Sequence, residues 1–77
     1  MASTREKTLL EHCEPPYPVG TVVEDTSAGR IGEIKGALIE RGVDGRPMGT
    51  TVYLRPKGGG TEWETLPESI LPVAPNG

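Results

Sequence analysis

Tyr53, Arg55, Lys57 and Trp63 fall within one short stretch, TVYLRPKGGGTEWET, and are the side chains best suited to holding a partner. Aromatic rings supply rigid contact area and cations supply charge, so together they suit recognition better than catalysis. On a hairpin built from this stretch, a register with Tyr53 opposite Trp63 puts both rings on one face beside Arg55. A register one residue away sets Trp63 opposite Leu54 and turns it toward the core. The sequence leaves both open. Trp63 is the only tryptophan in a chain without phenylalanine, and a small core needs bulk, which favours the inward position.

Catalytic and metal chemistry find little material. His12 and Cys13 are the only residues of their types and are adjacent in sequence, with no third group to orient them. A structural zinc needs four suitably spaced ligands. In PKGGGT, Lys57 precedes the glycines and a strand comes after them, whereas a phosphate-binding loop leads through Gly-Lys-Ser/Thr into a helix. The stretch reads as a hairpin turn. No catalytic residue, metal ligand or cofactor site is expected.

The charge is uneven. Net charge is −3, yet residues 30–57 hold six basic side chains (Arg30, Lys35, Arg41, Arg46, Arg55, Lys57) against three acidic ones, Glu33, Glu40 and Asp44. Acidic flanks enclose this basic middle, which is too diluted for a general polyanion binder. A lone cysteine permits no internal disulfide and favours a reducing compartment. The sequence shows neither a membrane-spanning apolar run nor a signal-peptide core, so a soluble, cytoplasmic protein is expected.

Eleven glycines and eight prolines divide the 77 residues into short segments. Residues 3–13 predict a short helix: Ser3 and Glu6 fit a capping box, and Leu9, Leu10 and Cys13 form an apolar stripe. The prolines of EPPYP must end it, leaving residues 1–16 as a helix or flexible tail uncoupled from the rest of the chain. Five strands are predicted next: VGTVVED, the long RIGEIKGALIE, TTVYLR, TEWETL and LPV, with PESI as a single helical turn before the last. Asp44-Gly45 marks the turn between the second and third of them.

Such an order predicts an all-β fold, a small five-stranded SH3-like barrel over residues 17–73 with a C-terminal tail at 74–77. Closing so small a barrel requires bent strands, and Gly32 and Gly36 are the expected coiling points, with Gly29 closing the turn before them. The stretch VGTVVEDTSAGRIGEIKG resembles the KOW motif, with Gly20, Val22, Gly29, Arg30, Gly32 and Ile34 at the positions that pattern uses. The resemblance covers about a quarter of the chain. It implies an SH3-like barrel and suggests nucleic-acid binding through the basic middle of the chain. The turn EDTSAGR departs from the pattern, carrying one basic residue where nucleic-acid-binding KOW modules carry several.

These readings converge on a non-catalytic binding module. Its expected partner is another protein, met through Tyr53, Arg55, Lys57, Trp63 and Arg30. RNA or DNA binding and a homodimeric structural role are the alternatives, and no membrane partner is expected.

Overall fold

The computed structural model describes residues 9–73. They form one antiparallel sheet: β1 Leu9–Cys13, β2 Val22–Asp25, β3 Arg30–Arg41, β4 Pro47–Pro56, β5 Trp63–Thr65 and β6 Ile70–Pro72. A 3-10 turn at Pro67–Ser69 precedes β6, opened by proline as the sequence predicts. The order across the sheet is β5-β4-β3-β2-β6, and β1 pairs with β3 outside that path. Its two end strands are not paired with each other, so the sheet stays open.

β3 organises the fold. One of its edges runs against β4 from Gly32 to Arg41. The other is shared: β2 covers Arg30 to Glu33, and β1 covers Ala37 to Arg41. Between these halves the register against β4 shifts at Ile34 and Gly36, leaving Lys35 as the extra residue of a β-bulge. Bulges bend a strand and increase its twist. Gly36 therefore sits at the bend expected of it, and Gly29 closes the β2–β3 turn with a φ of +68°, open to glycine at no steric cost.

The core is small and comes from alternate residues on the concave face. Val23, Ile34, Ala37, Val52, Leu54 and Ile70 are buried, with Cys13, Tyr17 and Trp63 packed partly against them. Val52 and Leu54 share the inward face of β4, as their alternation predicts.

The N-terminal expectation fails. Leu9–Cys13 is a strand, not the end of a helix, and pairs in continuous register from Leu9 opposite Arg41 to Cys13 opposite Ala37. Residues 3–8 of the expected helix lie outside the described residues. So short a segment has little helical stability of its own, and the unpaired half-edge of β3 offers it a complete ladder instead. Nor do the prolines uncouple it. They carry the chain round from β1 to β2, and Tyr17 within them packs on the core. Deleting residues 1–14 should therefore raise amide exchange across Ala37 to Arg41 by orders of magnitude and lower the melting temperature. Unchanged exchange there would show that β1 contributes nothing to the sheet.

Candidate functional site

Two groups of side chains emerge, one on each face of the sheet. The concave group is built around Asp25, the last residue of β2, which is only 1% exposed. An isolated buried carboxylate is costly, so its partners matter. Its Oδ1 accepts hydrogen bonds from the Ser27 amide at 3.0 Å and the Ser27 hydroxyl at 2.6 Å, while Oδ2 accepts from Trp63 Nε1 at 2.8 Å. The Thr65 side chain adds to their effect on the carboxyl. Burial alone would push the Asp25 pKa up, but the donors from Ser27, Trp63 and Thr65 outweigh it and hold the carboxyl below its ordinary value.

Trp63 reaches this carboxylate because β5 pairs with β4 in the inward register, Leu54 opposite Trp63 and Tyr53 opposite Glu64. Its ring lies over Gly32. A Cβ at that position would stand 2.7 Å from Trp63 Cη2 and 2.7 Å from the Arg55 carbonyl oxygen. Gly32 is thus a site of close approach, not of left-handed backbone. The Arg30 guanidinium stacks on the same ring, its Cζ 3.9 Å from the centroid. Arg30 is itself exposed, and cation–π contacts at exposed sites are worth about 0.5–1 kcal/mol.

The convex group surrounds Tyr53, which stands opposite Gly36 on β3. Together with His12, Lys35, Leu38 and Glu62 it lines an open recess of about 350 Å³. Arg55 lies on the same face two residues along β4, opposite Glu33, and is exposed. Lys57 comes next, in the turn after β4. The five residues expected to meet a partner therefore divide. Arg30 and Trp63 are joined on the inner side, and Tyr53 and Arg55 lie on the outer one. The Tyr53–Trp63 platform does not form.

Sequence reasoning misses Asp25 and Ser27, although an Asp with Ser two residues later is a side-chain-capped turn signal. His12, Lys35 and Leu38 join Tyr53 only through the β1 register and the bulge, which no local pattern announces. Among the described residues, no group of three or more His, Cys, Asp or Glu side chains is placed to hold a metal. No helix among them is long and apolar enough to cross a membrane. Neither a protein-family model, a curated protein nor a solved structure matches the chain.

The concave group generates two expectations. Gly32→Val should lose more than about 1 kcal/mol of stability despite valine's strand propensity, since both the Arg55 carbonyl and the Trp63 ring would have to shift to admit a side chain. Equal thermal stability in that variant would remove the close-approach explanation. The depressed Asp25 pKa has a definite sign. Its contribution is complete above the unfolded value of about 3.9 and is lost as pH falls through the lower folded value. Asp25→Asn should therefore be less stable than the parent at pH 7, with the gap narrowing in urea titrations at pH 3 and below. A gap independent of pH would show that the carboxylate charge is not what the donors hold.

Proposed function

We propose that the chain is a small, non-catalytic binding module, an open relative of the SH3-like barrel, that recognises another protein through its convex face. The observation that carries this reading is the recess around Tyr53, where an amphipathic ring stands among Leu38, His12, Lys35 and Glu62. Anchors in protein interfaces are typically aromatic or arginine side chains surrounded by polar groups that exclude water. The KOW-like stretch over residues 19–36 supports the SH3-like assignment, and lone Cys13 supports a reducing, cytoplasmic setting.

The distribution of cations favours protein over nucleic acid. Arg30 is stacked on Trp63, Arg41 bonds Glu11 and the Gly45 carbonyl, and Arg46 pairs with Asp44. Among the described residues, Lys35, Arg55 and Lys57 are the cations outside such contacts, a thin set for phosphate binding.

Affinity capture from native lysate, with and without nuclease, tests the choice. Nuclease-resistant partners are expected, with Tyr53→Ala weakening capture by roughly tenfold or more, Arg55→Ala by less, and Lys57→Ala hardly at all. Sub-micromolar binding to random RNA or DNA at physiological salt, abolished by joint loss of Arg55 and Lys57, would overturn the reading. Its salt slope would then fall by about one unit per lost phosphate contact.

A further inference from the structure

β1 differs from the other outer strands. β5 and β6 have three residues each, β6 ends in Pro72, and the part of β4 beyond β5 carries Pro47 and a register shift opposite Glu40 and Arg41. Short length, proline and bulges are the devices by which sheet edges avoid new pairing. β1 has five residues in unbroken register, no internal proline, and no second neighbour among the described residues. Its first two residues, Leu9 and Leu10, face opposite sides of the sheet and are 62% and 65% exposed. At its other end the chain forms an open recess of about 470 Å³, lined by Cys13, Pro15, Tyr17 and Val19 among others. One edge strand therefore carries uncovered apolar knobs at its start and, at its finish, an uncovered recess of mixed lining in which Cys13, Tyr17 and Val19 stand beside Glu14.

We infer that β1 is the contact strand of a symmetric dimer, pairing antiparallel with β1 of a second copy about a two-fold axis at Glu11. Full overlap of the five residues sets Leu9 opposite Cys13 and Leu10 opposite His12 of the other copy. Two-fold symmetry makes every such contact reciprocal. Leu9 of each copy meets the Cys13 and Tyr17 side of the other's recess, so both uncovered features are covered at once. The two Glu11 side chains meet at the axis, each already paired with its own Arg41 at 3.1 Å, which offsets their repulsion. That reciprocity is the reason to name a second copy as the occupant. The ladder is short, well under the about 800 Å² per partner of a standard interface, so the dimer is weak, with Kd roughly between 10 µM and 1 mM.

Sedimentation velocity on the full chain over a concentration series spanning that range should show reversible dimerisation. Leu10→Lys should weaken it by tenfold or more while leaving the monomer's amide spectrum folded. The register has its own test. Leu9→Cys places a thiol opposite Cys13 of the other copy, within disulfide reach across a strand pair, whereas its own Cys13 is about 13 Å away along the strand. Mild oxidation with diamide, which takes up the two thiol hydrogens, should crosslink Leu9→Cys into covalent dimers at least tenfold faster than Leu10→Cys or the parent. A chain that stays monomeric through about 1 mM, or crosslinks no faster in Leu9→Cys than in Leu10→Cys, overturns the inference. Tyr53 lies on β4, across β3 from the paired edge, so its variant tests the recess without changing the β1 ladder.

Discussion

The hydrogen bond from Trp63 to Asp25 holds the curvature on which the rest of the sheet depends. β5 and β2 are separated by two strands, which in a flat sheet would set them about 14 Å apart. A 2.8 Å contact between their side chains requires that the concave face fold inward. Once it does, a core of few apolar residues is enough, because the indole and its neighbours roof the space that a second layer would otherwise fill. The carboxylate, the serine and the indole that donate to it, the glycine beneath the ring and the arginine above it form one connected arrangement. Each is explained by the others, and none by local propensity.

Using the tryptophan inside changes what the outside can do. With its ring occupied by Gly32 and Arg30, Trp63 offers a partner little, and recognition passes to the smaller aromatic Tyr53 on the convex face. The basic middle of the sequence is likewise subdivided, since Arg30 stacks on Trp63 while Arg41 and Arg46 meet Glu11 and Asp44 at the surface. Net charge counted along the chain does not show which exposed cations folding sets beside a carboxylate.

Much of the architecture is legible in the residues. β2 to β6 and the 3-10 turn fall where glycine and proline punctuate the sequence, and the inward face of β4 is set by Val52 and Leu54 alone. Relations between distant segments are not legible in this way. Leu9, Leu10 and Cys13 satisfy a helical stripe as readily as a short strand, and only the vacant half of β3 decides between them. Trp63 opposite Leu54 rather than Tyr53 is a matter of one residue of register, fixed by the Asp25 bond across the sheet. The candidate site is half legible for the same reason: its residue types stand out, while their grouping depends on pairing.

The bulge at Lys35 also changes how the long strand encodes its two faces. Before it, Gly32 and Ile34 occupy the concave face; after it, Ala37 and Ile39 do, so the inward set passes from even to odd positions within one uninterrupted strand. The facing code of β3 thus contains a frameshift. Losing Lys35 would restore plain alternation, with Ala37 and Ile39 still facing inward, and would remove the bend and added twist that the extra residue supplies. The extra residue encodes curvature, and the shift from even to odd inward positions is its trace in the sequence.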